Sequence, residues 1–165
     1  MKWIRAALVA TVVASTAACT GGVAGTPVAE LWDPCTIPSE ALVAAGVDPT
    51  VIDTGELTQL GNEWKFCIYR QDWYFVTAYA TNNSISDIRA NPRAERMTTT
   101  TVGRRDGVLY VDYSMRPEGT CHVAFGSGKG AFDLAVSRAL DSTVQGDLCV
   151  EAQRIAGSLE LEIPL

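Results

Sequence analysis

Cysteine is the residue type in this sequence whose number and spacing carry the clearest chemistry. Zinc sites usually need closely spaced cysteine or histidine pairs, whereas the four cysteines from Cys35 onward lie tens of residues apart and His122 is the single histidine. Disulfides in an oxidising compartment are therefore the expected use of these thiols. An odd number of cysteines leaves one thiol to explain. The five are Cys19, Cys35, Cys67, Cys121 and Cys149.

The N-terminal residues have the three parts of an export signal. Residues 1–5 carry positive charge. The apolar stretch 6–14 is too short to span a bilayer, which takes about 20 apolar residues. Small residues at 16–18 then precede Cys19, as they do at a signal peptidase site. The pattern resembles the bacterial lipobox, although Thr16 stands where leucine is usual.

This pattern predicts where the mature chain begins and how it is held. We expect a lipoprotein signal peptide over 1–18, a lipid such as palmitate on Cys19, and a flexible tether over the small, turn-prone residues 19–30. A single folded domain over 31–165 should then lie on the extracytoplasmic face of the cell membrane. A freely secreted protein with a spare thiol and a retained membrane helix are the alternatives.

Charge narrows the class of partner. The chain has a formal net charge of −6, and removal of Lys2 and Arg5 with the signal peptide makes it more acidic. Nucleic-acid binding needs a basic surface, so we expect no nucleic-acid partner. Because the acidic residues are scattered along the chain, solubility is their simplest explanation.

Familiar catalytic patterns are incomplete in this chain. The glycine-rich segment 126–130 lacks the first glycine of a P-loop, where Val123 stands, and it has glycine after the lysine in place of serine or threonine. A hairpin turn is the expected structure there. We interpret His122 as an ordinary sheet-surface residue. Asp112 and Asp133 could face a common surface, but we interpret them as solubilising charges. The sequence predicts no catalytic residue, metal or cofactor, and no enzyme.

Aromatic residues cluster on predicted neighbouring strands. Core packing explains most of them, and the others could line a groove for an apolar or glycan ligand, because aromatic faces offer large contact areas with a polar tip. The candidate groove residues are Trp73, Tyr74, Tyr79 and Tyr110. The cluster also contains Trp64, Phe75 and Tyr113.

Hydrophobic periodicity predicts a helix, then several strands, then a helix. Short helices are expected at 36–45 and 85–90, and a closing helix at 147–159. The Asp106-Gly107 pair predicts a tight hairpin turn. This order makes an α+β domain: an antiparallel β-sheet with N-terminal and C-terminal helices packed on a face. The predicted strands are 55–60, 64–70, 73–80, 97–102, 108–113, 120–125 and 131–136.

Several short motifs across 31–165 carry a resemblance to a known family. They are Asp33-Pro34-Cys35, the helix end 41–46, Trp64-Lys65-Phe66-Cys67, Thr120-Cys121-His122-Val123 and Asp147-Leu148-Cys149. With these motifs the chain resembles the actinobacterial exported lipoproteins that carry the domain of unknown function 3558, the LprB-type lipoproteins among them. Leu148 stands where a proline is expected. The resemblance implies location and architecture but no reaction, since the family has no assigned activity.

Four cysteines allow three disulfide connectivities. Loop entropy does not decide among them, although a Cys35–Cys121 bridge closes a longer loop and would gain about 1 kcal/mol more. Helix-to-sheet geometry, together with the family resemblance, favours Cys35–Cys67 and Cys121–Cys149. Each of these bridges would link a terminal helix to a strand.

These observations imply a non-enzymatic binding or accessory domain of the bacterial cell envelope, anchored by a lipid. Its expected partner, besides the membrane itself, is an envelope lipid, a glycan or a membrane protein. The alternative is a structural envelope lipoprotein that stabilises a membrane complex through protein–protein contacts.

Overall fold

The computed structural model describes residues 30–59, 61–114, 116–144 and 146–165. Seven strands lie in these residues, and their sequences are rich in the β-branched and aromatic side chains that favour extended backbone. They are β1 (Val51–Gln59), β2 (Asn62–Arg70), β3 (Tyr74–Thr81), β4 (Ala94–Val102), β5 (Arg105–Asp112), β6 (Thr120–Ser127) and β7 (Gly130–Arg138). They form one antiparallel sheet in the order β1-β2-β3-β7-β6-β5-β4.

Two antiparallel meanders meet at the centre of the sheet. β1, β2 and β3 pair as neighbours in sequence order, and β4 to β7 do the same. β3 then pairs with β7, from Tyr74 opposite Arg138 to Thr81 opposite Ala131. This pairing, which we call the central seam, joins strands that are far apart in the chain.

Three helices accompany the sheet in the described residues. They are α1 (Ser39–Ala44), α2 (Ile85–Arg89) and α3 (Leu148–Leu159), with single 3-10 turns at Pro34–Thr36 and Glu160–Glu162. Asp147 is the N-cap of α3, because its carboxylate accepts hydrogen bonds from the backbone N–H groups of Cys149 and Val150. The closing helix is therefore found where its periodicity and cap predict it.

The two faces of the sheet differ because side chains alternate along each strand. α3 lies against β6 and β7, and its buried Ile155 joins Val123 and Phe125 of β6 in the main core cluster. We call this side the helix-covered face. His122, which lies between Cys121 and Val123 in β6, is directed to the opposite side. We call that side the second face.

α2 covers part of the second face. Its buried Ile88 belongs to a smaller core cluster with Tyr110 and Ala124. A capping box begins α2: the Ser84 hydroxyl accepts from the Asp87 backbone N–H, and the Asp87 carboxylate accepts from the Ser84 backbone N–H. This local bonding gives a helix of five residues a defined start against the sheet.

Two disulfides join chain segments to the sheet. Cys35 is bonded to Cys67 of β2, and Cys121 of β6 is bonded to Cys149 in the first turn of α3. Both bridges have Cα–Cα distances of 5.2 Å, within the usual range for disulfides. The predicted disulfide cysteines are therefore found as two pairs, with the connectivity that was favoured.

The β4–β5 hairpin corrects one prediction. Val102 pairs with Arg105, so Gly103 and Arg104 form the turn, and Gly103 has φ +58°, which glycine adopts easily. The Asp106-Gly107 pair lies inside β5 instead. Gly107 allows β6 to lie close to β5, since a Cβ at this position would be 2.7 Å from the carbonyl oxygen of Ala124.

The antiparallel sheet, its few helices and its two disulfides confirm the coarse architecture that the sequence predicts. The packing of the N-terminal helix on a sheet face stays a prediction. The signal peptide at 1–18, the lipidated Cys19 and nearly all of the 19–30 tether lie outside the described residues. Among the helices of the described residues, none has the length and apolar character needed to cross a bilayer.

Candidate functional site

The second face carries a buried carboxylate in the middle of β7. The Asp133 side chain is 2% exposed, and a carboxylate at this depth needs hydrogen-bond partners. The Tyr110 hydroxyl donates to its Oδ2 over 2.5 Å. His122 Nδ1 lies 3.1 Å from its Oδ1. We call Tyr110, His122 and Asp133 the polar cluster.

Strand register brings the polar cluster together. Tyr110 of β5 lies directly opposite His122 of β6, and their rings stack with centroids 4.6 Å apart and planes 12° from parallel. Asp133 of β7 lies opposite Ala124, two positions along β6 from His122. The carboxylate and the imidazole therefore meet on the diagonal, within reach of each other on one face.

Burial extends to higher pH the range over which the phenols around Asp133 stay protonated. It raises the pKa of Tyr110 far above the usual value, and the charge of Asp133 raises it further. Tyr79 lies directly opposite Asp133 across the central seam, and the pKa of its phenol is raised by the same two causes in the same order. Both phenols therefore remain protonated at neutral pH, as hydrogen-bond donors.

Asp112 borders the polar cluster at the end of β5. Burial raises the pKa of its carboxyl, but hydrogen bonds from Ser114, with smaller contributions from His122 and Arg93, outweigh burial and lower the pKa overall. Asp112 is therefore ionised at neutral pH. It shares the second face with Asp133. The interpretation of Asp133 as a solubilising charge is wrong, because its side chain is 2% exposed.

Aromatic side chains continue the second face across β3 and β2. The ring of Tyr79 is 6.1 Å from that of Phe66, and Trp64 meets Tyr79 edge-on with centroids 5.9 Å apart. Phe66 in turn covers Gly55 of β1, where a Cβ would lie 2.9 Å from its ring. We call Trp64, Phe66 and Tyr79 the aromatic strip. It places large apolar surfaces next to the polar cluster.

A cavity of about 350 Å³ lies where α2 meets the second face. Trp64 of the aromatic strip and Tyr110 of the polar cluster both line it. Most of the remaining lining is amide or charged, and consists of Gln59, Asn62, Asn83, Asp87, Asn91 and Arg93. We call this space the α2 cavity. Apolar surface and hydrogen-bonding groups meet in it, as they do in small-molecule sites.

The four predicted groove residues do not line one groove. Tyr79 and Tyr110 share the second face, but Tyr74 belongs to the main core cluster on the helix-covered face. The reason is strand alternation, since Tyr74 and Tyr79 are an odd number of positions apart. Trp73 precedes β3, and the Arg138 guanidinium lies over its ring. The structure therefore places Tyr79 and Tyr110 together and Tyr74 on the opposite face, and ligand binding by any of the four residues stays a prediction.

Asp133 and His122 were not predicted as site residues. The available signal was a charged residue at the centre of the apolar strand 131–136, because carboxylates are rarely fully buried without partners. That signal suggests a buried polar site but not its partners. Among the described residues, Asp133 is the one hydrogen-bond partner of the His122 side chain. In the same residues, no three His, Cys, Asp or Glu side chains are grouped to hold a metal ion.

Comparison with known proteins identifies the family of this chain. Searches of curated proteins and of solved structures find no match. A family model described as "Protein of unknown function (DUF3558)" matches residues 10–160. This match spans most of the 165 residues, including the whole sheet, both disulfides and α3. The chain therefore belongs to the DUF3558 family of proteins of unknown function.

Proposed function

We propose that the chain is a non-enzymatic binding domain of the bacterial cell envelope, held by a lipid on Cys19 at the outer face of the cell membrane. Within the family we place it among the actinobacterial LprB-type lipoproteins. The export signal and the small residues before Cys19 support the anchor. Two disulfides among the other four cysteines support an oxidising compartment.

The observation that carries the binding function is the polar cluster beside the aromatic strip. A buried ionic group adds little net stability compared with apolar packing of similar volume. A sheet face that served only to fold the chain would have no need of Asp133. On a binding surface the same carboxylate fixes Tyr110 and His122, so that a ligand meets side chains already held in place.

The polar cluster also bears on catalysis. A carboxylate that orients an imidazole is found in acyl-transfer enzymes, where the imidazole also contacts a nucleophilic hydroxyl or thiol. Within the described residues the His122 side chain is hydrogen-bonded to Asp133 alone. We therefore propose an orienting role for His122 toward a bound molecule and assign it no reaction.

Native mass spectrometry of the full-length chain, extracted from cells in a mild detergent, tests this function. We expect a retained small molecule, and we expect its occupancy to fall several-fold in His122→Ala, because that change removes the ring on which Tyr110, a residue that lines the α2 cavity, is stacked. Gln153→Ala, on an exposed position of α3, is the control and should keep the molecule.

A chain free of small molecules, with a protein neighbour captured by in-cell crosslinking, would favour the structural envelope lipoprotein instead. Turnover of an envelope substrate that is abolished in His122→Ala would contradict the non-enzymatic proposal.

A further inference from the structure

We infer that the α2 cavity is a binding site for a neutral carbohydrate. The inference rests on the proposed binding function and narrows its ligand class. Three properties of the cavity carry it: a fixed aromatic wall, four amide side chains in the lining, and one acidic side chain matched by one basic side chain.

Trp64 supplies the aromatic wall. Its ring meets Tyr79 edge-on at 90°, and Tyr79 itself packs on Phe66. The indole is therefore held before any ligand arrives, and binding costs little side-chain entropy. One side of a sugar ring is formed by C–H groups, and it suits a large aromatic surface.

Amide side chains supply the polar wall. Each carries a carbonyl acceptor and an NH₂ donor, the pair of functions that a sugar hydroxyl can satisfy as donor and acceptor. Gln59 and Asn62 make no side-chain hydrogen bond to any described residue. Asn83 uses its NH₂ group toward the Thr81 hydroxyl, and its carbonyl oxygen is left for a ligand. Asn91 accepts from the backbone of Arg93, and its NH₂ group is left.

Charge in the α2 cavity is balanced. Its lining contains one carboxylate, Asp87, and one guanidinium, Arg93. Ser84 occupies only Oδ2 of Asp87, and the Arg93 side chain has no ion-pair partner in the part of the chain that the structure describes. An anionic ligand would meet Asp87 without an excess of positive charge, and a cationic one would meet Arg93. A neutral polyhydroxylated ligand uses both groups as hydrogen-bond partners.

Size agrees with a short saccharide. The α2 cavity, at about 350 Å³, lies at the small end of the range of roughly 300–1,000 Å³ that is typical of small-molecule sites.

Isothermal titration calorimetry on the full-length chain tests the inference, in a detergent that has no sugar head group. The probes are α- and β-linked disaccharides of glucose, mannose and galactose, each paired with a counterpart that carries a uronic acid. We expect saturable binding of at least one neutral disaccharide, and binding of its uronic acid counterpart weaker by about tenfold or more.

Variants assign the binding to the cavity. Trp64→Ala should weaken binding by about tenfold or more. Because that change also removes packing from Tyr79, Asn62→Ala and Gln59→Ala are the second test, and each should weaken binding by about threefold to tenfold without altering the unfolding curve. Gln153→Ala removes an exposed amide elsewhere and should bind as the unchanged protein does.

Each contrary result has its own meaning. Binding of a disaccharide that Asn62→Ala and Gln59→Ala leave unchanged overturns the assignment to the α2 cavity. Failure of every neutral disaccharide to bind overturns the carbohydrate inference. If native mass spectrometry then finds a retained molecule of another class, the proposed binding function stands without it. If it finds none, the binding function falls as well.

Discussion

At the scale of single residues, the hydrogen bond from the Tyr110 hydroxyl is shorter than the contact that His122 makes with buried Asp133. Tyr110→Phe removes this donor and keeps the ring stacked on His122. We expect the free energy of unfolding to fall by roughly 1–3 kcal/mol, the usual cost of leaving a buried acceptor unsatisfied. Urea denaturation measures it.

Tyr113→Phe is the matched control for that change. The Tyr113 oxygen is 3.4 Å from a guanidinium nitrogen of Arg96, in an exposed setting. Its removal should alter the free energy of unfolding by no more than about 0.5 kcal/mol. If both variants lose the same free energy of unfolding, the hydrogen bond from Tyr110 to Asp133 does not stabilise the fold more than an exposed contact does.

Four tyrosines make stability sensitive to alkali. Burial is the main cause that raises the pKa of each phenol. Unfolded phenols lose their protons as pH passes about 10, whereas the folded chain keeps them. Stability should therefore be complete below about pH 10 and fall as pH rises further, by up to about 1.4 kcal/mol per pH unit for each group. The four are Tyr69, Tyr74, Tyr79 and Tyr110.

Urea denaturation at a series of alkaline pH values measures this dependence. Tyr110→Phe removes one of the titrating groups, so its free energy of unfolding should fall less steeply with pH than that of the unchanged chain. A profile that stays flat above about pH 10 would contradict the burial of these phenols.

The sequence predicts the disulfide pairs at the level of single residues, but only part of the candidate site. Counting limits four cysteines to three connectivities, and helix-to-sheet geometry together with the family resemblance favours the pairing that the structure shows. The contact between His122 and Asp133 depends on which strands are neighbours and in which register. A shift of one residue in that register would move either side chain to the opposite face.

At the scale of elements, Arg105 holds the C-terminal segment against the β4–β5 hairpin. Its guanidinium donates to the Glu160 carboxylate and to the backbone carbonyls of Glu160, Ile163 and Pro164. The Glu160 side chain is only 4% exposed. The same guanidinium lies over the ring of Phe125. One side chain of β5 therefore fixes the end of the chain to the sheet.

Arg105→Ala should lower the free energy of unfolding by roughly 3–5 kcal/mol, because it leaves a buried carboxylate without its partner. Thermal and urea unfolding measure the loss. Arg104→Ala, at the neighbouring exposed position in the turn, should change stability by no more than about 0.5 kcal/mol. If the two arginine variants lose stability equally, the bonds to Glu160 and the C-terminal carbonyls do not stabilise the fold.

Elements were predicted where periodicity was clear. The strand near 120–125 was recognised from Cys121, Val123 and Phe125 on one face, and α3 from its helical spacing and its Asp147 cap. The predicted position of the β4–β5 turn is wrong. Asp106-Gly107 has a sequence typical of turns, but Gly103-Arg104 forms the turn. The order of strands in the sheet does not follow from local pattern, because β3 and β7 meet only in the folded chain.

At the scale of the whole molecule, the anchor is the property that the sequence predicts most directly. Cys19→Ala removes the proposed site of lipid attachment and leaves the folded domain unchanged. We expect the variant to be recovered from the medium, and the unchanged chain from the membrane fraction. Cys19→Ala that remains in the membrane fraction would contradict lipid anchoring at this residue.

The two disulfides and the central seam have a joint consequence for maturation. The bridges join residues that are 32 and 28 positions apart, one in each meander, and neither crosses from β3 to β7. During export as we propose it, each half can be oxidised as soon as its own cysteines emerge, without waiting for strands of the other half. Within the sheet, the pairing of the two meanders through β3 and β7 then depends on hydrogen bonds and side-chain packing alone. A chain in which both disulfides have formed but β3 and β7 have not paired would consist of two separately cross-linked lobes.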